Sequence, residues 1–155
     1  MDLQAALSEA ADDRPKAMVV YDDPVVQELL LQKLEGTGYN ATAALNPRDA
    51  AKQLKFANFS LLILQEDYCG ASIRGNLLLR SLQTLDLSSR RGMLVILVSP
   101  TMTSLDDLTA FALSIDGIVN VADIDSIDRL LVSVIARANK FYAFYRDILI
   151  EHGLD

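Results

Sequence analysis

One cysteine, one histidine and no tryptophan occur in the 155 residues of this chain. A single thiol, Cys69, excludes an internal disulfide and a cysteine-built zinc site, and reads as a small half-buried side chain in a loop. The lone histidine, His152, lies in the C-terminal tail as a solvated residue, and no G-x-S-x-G occurs, so nothing supports a hydrolase. Dense clusters of Lys and Arg are also missing: 14 basic residues face 21 acidic ones, for a net charge of −7. Phosphate backbones and anionic membranes are held by gathered positive charge, so nucleic acid is excluded as a partner. No apolar run reaches 18 residues, and the leader MDLQAALSEAADDRPK is acidic and amphipathic, unlike a signal peptide. A cytoplasmic protein without membrane insertion is expected. The segment YDDPVV holds acids where a phosphate cradle needs glycines, and no G-x-x-x-x-G-K-[ST] occurs, so no cofactor is expected.

What is present is a hydrophobic fraction of 51%, enough for one domain to bury a core unaided. AMVVYDD (17–23) is a short apolar run ending in acids. PVVQELLLQKLEGTGY follows with helical spacing of Val26, Leu29, Leu30 and Leu34, Pro24 in the first turn, and Gly36 and Gly38 as the stop. NATAAL (40–45) is a weak strand. PRDAAKQLKF (47–56) is a helix opened by Asn46 as cap and Pro47. SLLILQ (60–65) is a third strand, apolar enough to be buried on both faces, with a glutamine at its tip. A helix from about Asn76 to Leu87, the strand MLVILVSP (93–100), a helix over 104–115 capped by Ser104, the strand GIVNVAD (117–123) and a long last helix complete the chain.

Five strands alternating with five helices through short loops predict an α/β fold: a doubly wound, five-stranded parallel sheet with right-handed crossovers. The expected organisation is a partly helical leader over 1–15, a domain over 16–138 and an extension of the last helix over 139–155. In such a sheet the C-terminal ends of the strands form the functional edge. That brings forward Tyr21, Asp22, Asp23, Gln65, Ser99 and the residues near Asp123.

In order and spacing these segments resemble a response-regulator receiver domain of two-component signalling. VVYDDPVVQELLLQKLEGTGY resembles the acidic-pair opening, FSLLILQ the strand that carries the phosphorylated aspartate, MLVILVSP the strand ending in the switch hydroxyl, and GIVNVADIDSIDRLL the closing strand and start of the last helix. The resemblance implies a (βα)5, flavodoxin-like fold. It also implies four chemical parts: an aspartyl nucleophile, acids that hold a divalent cation, a hydroxyl and a lysine. Carried over, Gln65 takes the phosphoacceptor position, and an amide cannot form the acyl phosphate. Asp22 matches the principal metal-binding acid, Tyr21 replaces the other, and Asp23 follows in the loop. A neutral phenol is a poor ligand for a hard cation, so no metal is expected, with Asp22 as a weak candidate. Ser99 matches the switch hydroxyl. No lysine stands between Gly117 and Arg129, and Ala122, Asp123 or Ile124 is expected where one should be. The chain therefore reads as a degenerate receiver that is not an enzyme, its pocket made of Tyr21, Asp22, Asp23, Gln65 and Ser99, where Gln65 could hydrogen-bond Tyr21 or Asp22.

A rival reading keeps phosphorylation with Mg2+ at a shifted acid, Asp67 or Glu66. A slipped third strand would present Asp67 on the Gln65 side, about 6.6 Å further out at two residues of strand rise.

The last helix, Ser126 to about Ile150, is longer than a sheet of this size needs, by roughly a dozen residues. Ile127, Leu130, Val134, Ala138, Phe141, Tyr145 and Ile148 recur at spacings of three and four as one apolar stripe. Phe141, Tyr142, Phe144, Tyr145, Ile148 and Leu149 fall beyond the expected end of the domain, and such aromatic patches are enriched in binding surfaces. The alternative is that they cover a leader helix over 3–11, with its stripe of Leu3, Ala6, Leu7 and Ala10. A homodimer through this helix is expected, because the last helix of receivers is commonly part of a dimer face. The reading is a phosphorylation-independent interaction and dimerisation module of bacterial signal transduction. It would be the regulatory N-terminal part of a larger protein, with an unidentified signalling partner or output domain.

Overall fold

The computed structural model describes residues 13–70, 75–84 and 92–151, with residues 84 and 141–151 as backbone only. The leader helix over 3–11, the end of the helix ascribed to 76–87, and His152 lie outside the described residues. So do the side chains of Phe141, Tyr142, Phe144, Tyr145, Ile148 and Leu149.

Five parallel strands form one sheet in the order β2-β1-β3-β4-β5. They are β1 (Lys16–Val20), β2 (Asn40–Ala43), β3 (Leu61–Gln65), β4 (Leu94–Ser99) and β5 (Gly117–Asn120). The helices are α1 (Pro24–Gly36), α2 (Pro47–Phe56), α3 (Leu77–Thr84), α4 (Asp107–Ala112) and α5 (Ile127–Glu151). Central β3 is buried at every position, as a strand covered on both faces must be. Its last residue, Gln65, pairs with Val98, and Asp67 lies past the strand end in the turn that follows.

Period-two alternation sorts the core into two layers. Ala17, Val19, Leu61, Ile63, Ile96 and Val98 face α1 and α5, where they meet Leu30, Leu34, Ile127, Leu131 and Val134. Met18, Val20, Leu62, Leu64, Val95 and Leu97 face α2, α3 and α4, meeting Ala50, Leu78, Leu79, Leu82 and Ala110. Each fully buried aliphatic side chain contributes about 1.5–3 kcal/mol over leaving it in water. At Gly117 an added Cβ would lie 2.8 Å from Val134 Cγ2, so only glycine lets β5 lie so near α5.

Local chemistry sets the element ends. Asp23 caps α1 by accepting the Val25 N–H, and Asn46 caps α2 by accepting from Asp49, each followed by proline. Gly36 is the last helical residue of α1 and not the stop; Gly38, at φ +101°, makes the turn into β2. Ser104 is not a cap. Asp106 caps α4 through the Thr109 N–H, because Leu105 adopts φ +60° and donates its N–H to Ile118 O, which keeps residues 104–106 out of the helix. β1 stops at Val20 and β5 at Asn120, both short of the acids ascribed to them. After β5, Asn120 Oδ1 accepts from Ala122 N and bends the chain into a 3-10 turn over Val121–Ser126. Val121, and not 122–124, is therefore the first residue past the strand.

The last helix runs over 25 residues as one continuous rod. Within its described side chains, the line facing the sheet is Ile127, Leu131 and Val134, with Leu130 only partly buried beside it.

Candidate functional site at the C-terminal sheet edge

β1 and β3 are neighbours, so their tips bring Tyr21, Asp22 and Gln65 together. The Gln65 side chain is 7% exposed, and its Oε1 accepts the Asp22 backbone N–H at 2.9 Å. The expected contact between Gln65 and Asp22 exists, made to the main chain and not to the carboxylate. Asp22 Oδ2 in turn accepts the N–H of Cys69 at 3.1 Å, holding Cys69 at φ +56°. That constraint leaves the Cys69 side chain exposed, not half-buried. Asp23 is occupied at the helix cap, with Oδ1 2.9 Å from Val25 N.

Tyr21 is 7% exposed and packs in the layer under α1 and α5. Burial pushes its phenol above 10.0, and the charges of Asp67, Asp22 and Asp23 push it the same way. It stays neutral.

Ser99 is fully buried but belongs to the other side of the sheet. Its Oγ accepts the N–H groups of Met102 at 2.9 Å and Thr101 at 3.2 Å, the local capping role, and its hydroxyl bonds the Glu66 carboxyl. Gln65 follows Leu61 and Ile63 on one face, whereas Ser99 follows Val95 and Leu97 on the opposite one. Four of the five pocket residues thus gather around the β1–β3 tips, and Ser99 pairs with Glu66 instead.

Glu66 is 8% exposed and Asp67 is exposed. Burial raises the Glu66 carboxyl above its ordinary value of 4.5; the Ser99 bond opposes this and the charge of Asp67 adds to it. A carboxyl whose value is higher in the fold favours the folded state when protonated. That contribution is present below 4.5 and is lost as pH rises through the folded value. Glu66→Gln is therefore expected to raise stability at neutral pH, with the difference from wild type vanishing in acid. Urea denaturation of both proteins across that range checks this; parallel curves would mean that Glu66 is solvated.

Two features of the edge had weak or no sequence signal. Asn76, 3% exposed, donates Nδ2 to the carbonyls of Gln65 and Glu66, both at 3.0 Å, while Oδ1 accepts the Leu79 N–H at 3.1 Å. An Asn before an apolar run marks a helix start, but not the clamp on β3. The second is a latch between the β4–α4 loop and β5. Asn120 donates its N–H to Ser104 Oγ at 2.7 Å and its Nδ2 to Met102 O at 2.7 Å, and Ser104 donates to Asp123 at 2.6 Å.

Among the described residues no three His, Cys, Asp or Glu side chains converge as a metal site, and no helix is long and apolar enough to cross a membrane. No family model matches the chain, and no curated protein sequence does. Solved structures do match. A CheY-like response regulator receiver domain protein from Methanospirillum hungatei superposes with TM-score 0.63 at 16% identity, covering 83% of this chain and 98% of its own. A putative response regulator from Chloroflexus aurantiacus gives 0.63 at 17%, covering 80% and 99%. An orphan response regulator of H. pylori gives 0.58 at 13%, covering 77% and 95%. The fold is that of a receiver domain. On this receiver fold Gln65 occupies the tip of the third strand, and no lysine stands between Gly117 and Arg129.

Proposed function

We propose that the chain is a pseudo-receiver: a phosphorylation-independent interaction and dimerisation module of signal transduction, with no catalytic chemistry of its own. The observation that carries this is Gln65, whose amide stands at the tip of β3 with its oxygen engaged by the Asp22 N–H. An amide oxygen in that place neither attacks phosphorus nor adds the negative charge that would hold a divalent cation. The absence of lysine from Gly117 to Arg129 removes the cation that would pair with a phosphoryl group, and Val121 begins the turn instead. The rival at a shifted acid has less support. Glu66 is buried against Ser99, and Asp67 has no lysine to complete a phosphoryl site.

Dimerisation through α5 is proposed from its length and from the sequence of residues 141–149. The rod of 25 residues continues past the buried Val134, and the aromatic and aliphatic residues Phe141, Tyr142, Phe144, Tyr145, Ile148 and Leu149 follow on it.

Two measurements test the two halves. Amide NMR spectra are recorded before and after Mg2+ and then beryllofluoride, and no saturable shift is expected at Asp22, Gln65, Ser99 or α4. A large, saturable response there would return the chain to the phosphorylated class. Sedimentation equilibrium of the wild type and of the triple variant Phe141→Ser, Tyr145→Ser, Ile148→Ser is expected to give a dimer and a 17.0 kDa monomer respectively. A monomeric wild type would end the dimer half alone.

A further inference from the structure

β2 ends the sheet, with β1 hydrogen-bonded on one side and no described strand on the other. The opposite end, β5, is closed by chain, since the β4–α4 loop bonds to Ile118 and Asn120. A free strand edge is a template for pairing with another chain, and it is normally blunted by proline, a charged side chain or a bulge. β2 has none of these. NATA is uncharged, and its residues pair one to one with Lys16, Ala17, Met18 and Val19. Leu45, just beyond it, is 86% exposed.

Alternation decides which main-chain groups face outward. Asn40 donates its N–H to Pro15 O at 2.9 Å and Ala44 donates to Val19 O at 3.0 Å, so the even-numbered residues face β1. The N–H groups of Ala41, Ala43 and Leu45 therefore face away from the sheet. Carboxylates occupy the outer two: Glu35 Oε1 accepts from Ala41 at 3.2 Å, and Asp49 Oδ2 accepts from Leu45 at 2.9 Å. Each carboxylate is itself fixed. Arg14 Nη1 donates to Glu35 Oε2 at 2.7 Å and reaches Tyr39 O at 3.5 Å, and Gln53 Nε2 donates to Asp49 Oδ2 at 2.8 Å. Ala43 N–H alone has no partner among the described residues, and one open donor does not make a ladder.

An added strand would need what the carboxylates hold. A second copy meeting this edge about a twofold axis sets Thr42 opposite its own equivalent, and Ala41 then exchanges both hydrogen bonds with Ala43 of the second copy. Every such pair uses the Ala41 N–H, which Glu35 occupies. We propose that Glu35, with Asp49 beyond it, is an autoinhibitory contact that keeps β2 from adding the β2 strand of a second copy. Removing it creates an interface between two copies along the sheet edge. The inference goes beyond the pseudo-receiver reading and does not depend on it, because the guard is made by main chain and side chains away from Gln65.

The test is sedimentation velocity and amide hydrogen exchange on the full chain over a range of concentrations. In the wild type, Ala41 and Leu45 are expected to exchange more slowly than Ala43 at every concentration. Glu35→Ala with Asp49→Ala is expected to add a concentration-dependent step to about twice the wild-type mass, or to open-ended growth where α5 also pairs. Ala41 and Ala43 should become protected together in that step, by about tenfold or more. Adding Thr42→Lys, at an exposed position, should abolish the step by setting like charges opposite each other. Glu35→Ala alone leaves the Asn46 cap of α2 intact and should show the same step, so loss of fold in the double variant does not decide the outcome. A folded Glu35→Ala variant that keeps the wild-type mass overturns the proposal. So does association that survives Thr42→Lys, which then comes from another surface, and so does a wild-type Ala43 amide as slow as Ala41. Mass is read against the wild type, so a failed α5 dimer changes the reference and not the step.

Discussion

Replacing Ile63 by alanine is expected to cost about 3–4 kcal/mol of folding free energy, from the range for isoleucine-to-alanine changes in close-packed cores. Ile63 is fully buried in the central strand, paired with Val19 on one side and Ile96 on the other. Its side chain lies in the layer beneath α1 and α5, so both helices are anchored over any hole left there. Strands held on both edges cannot slide to fill a cavity, which places the cost above the minimum for losing three carbons from the core. A domain of this size has a total stability of about 5–15 kcal/mol, so the change removes a large fraction of it. Urea denaturation followed by circular dichroism is expected to show a lowered midpoint with an unchanged slope. The reference is Val132→Ala on α5, where the side chain is 60% exposed and the effect should stay within about 0.5 kcal/mol. A loss below 1 kcal/mol at Ile63 would contradict the packing described for β3.

Asn76→Ala is expected to be nearly as severe, at about 3 kcal/mol, for a different reason. The alanine removes both donations to β3 and the acceptor for Leu79, while the site stays closed to water at 3% exposure. Leaving a buried carbonyl or N–H unpaired costs more than the net worth of the bond, and three are stranded here. Asn76→Asp separates the two functions. It keeps an acceptor for Leu79 but at neutral pH donates nothing to the carbonyls of Gln65 and Glu66, so it should not restore wild-type stability. Denaturation of the three proteins, with amide exchange at Leu79, checks the assignment. Full stability in the aspartate variant would show that the helix cap alone matters.

The alternation of elements was legible because the apolar runs are short and the punctuation is strong: Asp23-Pro24 and Asn46-Pro47 open α1 and α2 where the sequence places them. Gln65 could be placed at a strand tip because four apolar residues end there, and the contact with Asp22 follows from β1 and β3 being neighbours. The misreadings arise where one side chain competes with propensity. Valine and isoleucine favour continuing β5, but the Asn120 side chain captures the Ala122 N–H and turns the chain. Ser104 precedes an acidic, apolar stretch as a cap would, yet its hydroxyl serves Asn120 and Asp123, and Asp106 does the capping. The separation of Ser99 from Gln65 depends on strand parity and on Glu66, one residue past the strand end, turning inward. No spacing rule governs that position.

The latch between the β4–α4 loop and β5 also bears on how such a module would carry information. Four hydrogen bonds cross it: Asn120 N to Ser104, Asn120 Nδ2 to Met102, Leu105 N to Ile118 and Ser104 to Asp123. At about 1 kcal/mol each, opening the latch costs about 4 kcal/mol, which leaves it open in about one molecule in a thousand. With the four bonds closed, the loop offers one shape to whatever it meets. If the chain is the pseudo-receiver proposed above, the variable left for a cell to adjust would be the number of copies made and destroyed.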